Sequence, residues 1–144
     1  MRLDVNLALK ALRHDRLTLA ISKGGNIIFT SRSRGVFDLY RLVKYDPGLL
    51  MGASAADKVV GKAAAMLYAQ SGIEELYADS VSRGAASILR EAGIKLQYQN
   101  MIPFVMNRDR TGMCPVERLA NTVDTLDQLM AGLEHFYRDL EICG

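Results

Sequence analysis

Between Asn107 and Leu119 the chain reads NRDRTGMCPVERL, which sets two arginines, an aspartate and a cysteine directly ahead of a helix start. Pro115 suits the first position of a helix, where no amide hydrogen is needed. Cys114 then stands at the N-terminus, where the positive end of the helix dipole lowers a thiol pKa. A reactive thiol is one reading. A cysteine that caps or packs against a turn is the other, and no histidine stands nearby in the sequence to serve as its base. Asp109, Arg110, Thr111 and Gly112 make a polar turn whose side chains can bond back to the backbone. Asn107, Arg108 and Asp109 are candidates for the rim of a pocket beside it.

Two other segments carry comparable chemistry. In ADKVVGKAAA, residues Asp57, Lys58 and Lys62 fall at or near the start of a long helix. In VSRGAAS, Ser82 is an N-cap and Arg83 lies in the first turn, directly after a strand. Open α/β sheets hold ligands at the carboxyl ends of their strands, and helix N-termini there offer free amides to anions. A cation in a first helical turn is disfavoured by the dipole. Arg83 is therefore easier to understand opposite a phosphate or carboxylate than as a solvated surface group. Lys58, Ser82 and Arg83 make the expected anion site, with Asp57, Asn107, Arg108, Asp109 and Cys114 around it.

Metal and nucleotide motifs are missing. There is no CxxC and no HExxH, and the two histidines, His14 and His135, lie in different charged segments. A zinc site needs three or four Cys, His or carboxylate ligands. Neither a GxGxxG nor a Walker A sequence occurs, which excludes the usual dinucleotide and P-loop sites. No metal and no cofactor are expected.

The elements that must position these residues follow from the pattern. Val5, Ala8, Leu9 and Leu12 recur at helical spacing behind Asp4, and KGGN between two β-favouring runs predicts a hairpin. VFDLYRLVKY places Val36, Leu39, Tyr40 and Val43 on one helical face, ended by DPG. LLMGASAADKVVGKAAAMLYAQSG reads as a brief apolar run and a long helix. Its inner face is Val59, Val60, Ala63, Met66, Leu67 and Gln70, with Gly72 as C-cap. IEELYAD, SRGAASILREAG and IKLQYQ form a βαβ unit with parallel strands and a right-handed crossover. Its helix buries Ala85, Ile88, Leu89 and Ala92, and its second strand alternates at Ile94, Leu96 and Tyr98. MIPFVMN is an edge strand or buried loop, because Pro103 cannot donate to a ladder. From Pro115 to Leu140 the apolar positions, among them Met130, Leu133 and Tyr137, repeat every three or four residues, and Gly132 is the expected site of any break. Such a helix of about 25 residues would be about 38 Å long. Its far end is therefore expected to cover a partner subunit, as a homo-oligomer, most simply a dimer.

The totals agree with one α/β domain over residues 1–144, a three-layer α-β-α arrangement around a mixed sheet, with a long C-terminal helical segment from about 115. A hydrophobic content of 49% suits a globular chain that needs no staples. The formal charge of +2 is too balanced to imply nucleic acid. Two cysteines make no disulfide framework. The N-terminus lacks a signal-peptide pattern, and no apolar stretch approaches the roughly 20 residues of a membrane span. Cytoplasm is the expected compartment, by elimination.

ADKVVGKAAA, VSRGAASILREAGI and NRDRTGMCPVE, in this order and spacing, resemble a small bacterial family of unknown function (domain of unknown function 1893). The resemblance covers residues from about 3 to 123 and implies a cytidine-deaminase-like fold. Working deaminases carry a zinc ligand and a proton-shuttling glutamate in HAE or CAE at the start of the second core helix, and two cysteines in PCxxC at the start of the third. Laid on this sequence, those motifs fall around Asp57–Val59 and Val81–Ala85, where no such ligand and no such glutamate stands. Hydrolytic deamination needs a metal-activated hydroxide and a carboxylate. The resemblance thus implies the fold and a cleft but not the reaction.

Three classes of function fit. A metal-free pocket binding a small anionic metabolite or nucleotide accounts best for basic residues at helix starts. A non-zinc enzyme would use Asp57, Lys58, Asp109 or Cys114, and a structural protein would assemble through its C-terminal helix. Elemental analysis of the native purified protein is expected to find no stoichiometric zinc. Near-stoichiometric zinc removed only by strong chelation would overturn the metal-free reading.

Overall fold

The computed structural model describes residues 2–107 and 109–143, without the side chains of 2, 3 and 139–143. Gly24 and Gly25 both hold positive φ, 59° and 84°, and so reverse the chain between β1 (Leu19–Lys23) and β2 (Asn26–Ser31). The hairpin expected at KGGN is there, with a bulge between Ile21 and Ser22. Before it runs α1 (Arg2–His14), which buries Val5, Ala8 and Leu12 against Ala20, Ala56 and Tyr77 on one face of the sheet.

SAADKVV, expected inside a long helix, is strand β3 (Ser54–Val60). Ala55 and Ala56 are both fully buried, one in each of the two hydrophobic clusters. A central strand covered on both faces reads as a short apolar run, and small side chains there let both layers come close. Alanine's high helix propensity is overridden by this tertiary setting. The helix that follows, α4 (Lys62–Ala69), is correspondingly short. It buries Ala63 and Leu67 as expected, but Val59 lies in the strand and is 43% exposed, and Gln70 is exposed.

β4 (Glu75–Ser82), α5 (Arg83–Glu91) and β5 (Lys95–Ile102) form the expected βαβ unit, with parallel strands. Ala85 and Leu89 are buried, Ile88 is half-buried, and Ala92 is exposed at the C-cap. β3, α4 and β4 form a second such unit. β1 runs antiparallel to β2 and β3, so the sheet is mixed, in the order β2-β1-β3-β4-β5. The second face carries the larger core, made with α2 (Phe37–Tyr45), the one-turn α3 (Pro47–Leu50), α4 and α5. Of the face expected on α2, Leu39 and Tyr40 are buried, while Val36 and Val43 are half-buried.

The single C-terminal helix expected from Pro115 is two. α6 (Pro115–Asn121) and α7 (Leu126–Cys143) are separated by a reciprocal cap. Gln128 Oε1 accepts from the amides of Asp124 and Thr125, at 2.8 and 3.2 Å, while Thr125 Oγ1 accepts from the Gln128 amide. Gly132 does not break the chain. It sits inside α7, where a Cβ would lie 2.6 Å from Leu119 Cδ1, so glycine is what lets the two helices approach. Leu129 and Leu133 are fully buried, and Tyr137 packs edge-on against Phe37 at 4.7 Å between ring centroids. Of the apolar side chains on this helix, Leu133 is buried, and Met130, Phe136 and Tyr137 are half-buried against this chain's own core; the side chain of Leu140 lies outside the described residues. Among the described residues no helix is long and apolar enough to cross a membrane.

Candidate functional site

The first amides of α4 need an acceptor, and its N-cap residue, Gly61, has no side chain to supply one. The acceptor comes from 55 residues downstream. Pro115 starts α6 and Glu117, in its first turn, points inward and is only 6% exposed. Glu117 Oε1 accepts from the Lys62 amide at 2.7 Å and Oε2 from the Ala63 amide at 3.0 Å. A carboxylate at a helix start also meets the positive end of the dipole. A Cβ at position 61 would lie 2.2 Å from Glu117 Oε1, so glycine is required there. The helix start expected to receive an external anion is occupied by an internal one.

The residues expected to form one cleft are spread out. Asp57 and Lys58 belong to β3, not to a helix start. Asp57 is half-buried beside Ala78 and accepts a hydrogen bond from the Tyr68 hydroxyl at 2.7 Å, whereas Lys58 is exposed. Ser82 is the N-cap of α5 as expected, buried, its Oγ accepting from the Ala85 amide at 3.2 Å. Arg83 follows it, exposed, in the first turn. Ser82 lies four residues along β4 from Ala78, which separates Asp57 from the start of α5 by ~13 Å.

The segment after Asn107 is a lashed turn. Asn107 Nδ2 donates to Thr111 Oγ1 and its Oδ1 accepts from the Thr111 amide, both at 3.0 Å. Its carbonyl accepts from the Arg110 amide at 3.1 Å, with Arg110 itself at positive φ. Asp109 is exposed, and Arg108 lies outside the described residues. Cys114 is half-buried as the N-cap of α6 and makes no side-chain cap bond.

Burial raises the Asp57 carboxyl to about 7, with the nearby charge of Asp79 adding to it, against the hydrogen bonds from Tyr68 and the backbone of Val59 and Lys58. Burial also lifts the Tyr68 hydroxyl well above its usual value, helped by Asp57. A second corner joins α2, α6 and α7. There Tyr137 is pushed up to about 12, first by burial and then by Cys114 and Asp38, and the Asp38 carboxylate accepts from Ser31 Oγ. Glu117, Tyr68, Asp38 and Tyr137 were not legible as site residues in the sequence. Only the glycine ahead of Lys62 hinted that something crowds that helix start. No group of three or more Cys, His or carboxylate side chains among the described residues could hold a metal ion.

A groove of about 460 Å³ runs between α4, α5 and the α6–α7 connection, with Met66, Ile88 and Leu126 as apolar lining and Lys62, Asp124 and Thr125 as polar lining. Another, of about 480 Å³, lies along α1 over Leu9, Lys10 and Arg13. The first is framed by three separate elements. The second is lined by one helix alone.

Helices on both faces of a mixed five-stranded sheet, with a helix start filled by a carboxylate from the same chain, define an α/β protein. Residues 7–137 match the family model described as a domain of unknown function (DUF1893), TM1506, and the chain belongs to that family. It is similar to a DUF1893 family protein (TM1506) from Thermotoga maritima, whose crystal structure at 2.70 Å resolution aligns with a TM-score of 0.84 and 29% identity, over 94% of this chain and 90% of that one. No curated protein matches the chain.

Two outcomes follow from the geometry. Glu117→Ala leaves two amides at the α4 start without an acceptor and is expected to cost roughly 2–4 kcal/mol in urea unfolding. Gly61→Ala is destabilising alone, but Gly61→Ala/Glu117→Ala is expected to lose less than the sum of the two single losses. Additive losses would show that Glu117 and Gly61 are not in contact. For Asp57, the folded carboxyl holds its proton up to about pH 7, and the unfolded one releases it near 3.8. The folded state therefore binds the extra proton between those values, and this contribution to stability is lost as pH rises through the window. Wild type is expected to lose stability relative to Asp57→Asn on going from about pH 4.5 to about pH 7.5. Parallel curves for the two proteins would remove the assignment.

Proposed function

We propose that the protein is a metal-free small-molecule-binding protein whose ligand, an organic anion such as a nucleotide or a carboxylate with an apolar body, lies in the groove beside α4. The observation that carries this reading is Lys62. Its amide is held by Glu117, yet the residue lines the groove and its ammonium pairs with no described residue. A volume of about 460 Å³ is within the range of small-molecule sites. Met66, Ile88 and Leu126 supply apolar contact, Lys62 an anion partner and Asp124 an acceptor, a combination that suits an amphipathic ligand.

The deaminase-like resemblance fits this reading with one adjustment. With β3 in place, the second and third helices of at least two turns are α2 and α4, so the zinc motifs would fall near Phe37–Asp38 and Gly61–Ala63. Those positions also lack histidine and cysteine, and the second is filled by Glu117. Asp57, Lys58, Asp109 and Cys114, the residues an alternative enzyme would use, lie on a strand, an exposed turn and a helix cap. Among the described residues, the hydrogen bond that joins two of them is a local one, from the backbone of Lys58 to the adjacent Asp57 carboxyl.

Titration calorimetry with nucleotides, sugar phosphates and small carboxylates tests the proposal. Lys62→Ala is expected to weaken the best ligand about tenfold, equivalent to ~1.4 kcal/mol, and Arg83→Ala to leave it unchanged. The opposite pattern would move the site to the start of α5, where Lys58, Ser82 and Arg83 would line it. A broad panel without binding would remove both locations.

A further inference from the structure

β5 is a free edge. The strand order ends on it, and among the described residues its only ladder is with β4. Beyond that ladder, Leu96–Ile102 makes no backbone–backbone hydrogen bond with any described residue. A free edge is a template for another strand, and natural proteins blunt it with proline, charge or a bulge. KLQYQNMI carries little of this: its one charge, Lys95, stands at its first position, and the first proline, Pro103, follows its last. Its register against β4 runs without a shift. The opposite edge, β2, is shorter and pairs through a bulge. Apolar surface accompanies the open backbone, with Tyr98 39%, Met101 38% and Phe104 39% exposed.

We propose that β5 pairs antiparallel with β5 of a second copy of this chain, about a two-fold axis through Gln99, joining two five-stranded sheets into one of ten strands. The reversed sequence complements itself. Leu96 comes opposite Ile102, Gln97 opposite Met101, Tyr98 opposite Asn100, and Gln99 opposite Gln99. Facing amides can hydrogen-bond each other, and cross-strand pairs of this kind stabilise a sheet. Charge selects the antiparallel arrangement. Each Lys95 is carried past the partner's Ile102 to lie opposite Pro103, whereas a parallel in-register partner would set the two lysines side by side. The contact uses one patch on both copies and closes on itself, so it ends at a dimer. It uses none of the residues of the groove beside α4.

Sedimentation velocity on the full chain from about 1 to about 200 µM is expected to show a monomer–dimer equilibrium. Gln99→Lys sets two ammonium groups face to face on the axis and is expected to raise the dissociation constant about fivefold, with the thermal unfolding midpoint of the monomer unchanged. Gln99→Cys, mildly oxidised and mapped by peptide mass spectrometry, is expected to yield a disulfide between position 99 of both copies, because facing Cβ atoms lie ~5 Å apart. A monomer across the whole range overturns the proposal. So does a dimer that ignores Gln99→Lys and forms no such disulfide, because it would be using another surface, α7 included.

Discussion

Two amide hydrogens at the start of α4 must be met by an acceptor, and Glu117 meets both. Much else is arranged around that contact. Gly61 is bare because a side chain would collide with the carboxylate. α6 is held against α4, and α7 reaches α6 closely enough that Gly132 faces Leu119 without a Cβ between them. A hydrogen bond from a backbone amide to a carboxylate is stronger than one between neutral groups, and here two of them converge on one side chain. The α6–α7 pair is therefore attached to α4 by a polar contact, while Leu129 and Leu133 are buried in the same core.

The same contact shapes the candidate site. By docking α6, it brings the α6–α7 connection beside α4 and α5, and the groove that holds Lys62 and Asp124 lies between them. It also satisfies the amides that would otherwise attract a ligand anion to that helix start. What remains for a ligand is the lysine side chain and the apolar wall.

Asp57 shows how a perturbed carboxyl can be structural. Burial raises it, and the Tyr68 hydroxyl holds it from the neighbouring helix. Strongly shifted groups often mark active sites. Here the shift has a packing cause, and the site residue named from the sequence that bonds to Asp57 does so locally, through the backbone of the adjacent Lys58.

Some features needed only local chemistry. The hairpin at Gly24–Gly25, the βαβ unit around α5 with Ser82 as its cap, and the lashed turn at Asn107 are set by residues within a few positions of one another. Family membership was legible too, because its motifs keep their order and spacing. The sequence by itself determined these. Only the tertiary structure decided β3, whose alanines favour a helix until two layers close over them, and the break between α6 and α7, where Thr125 and Gln128 cap one another. It also decided Glu117, because an interaction across 55 residues leaves no local pattern; a glutamate in a first helical turn looks ordinary until its partner amides arrive.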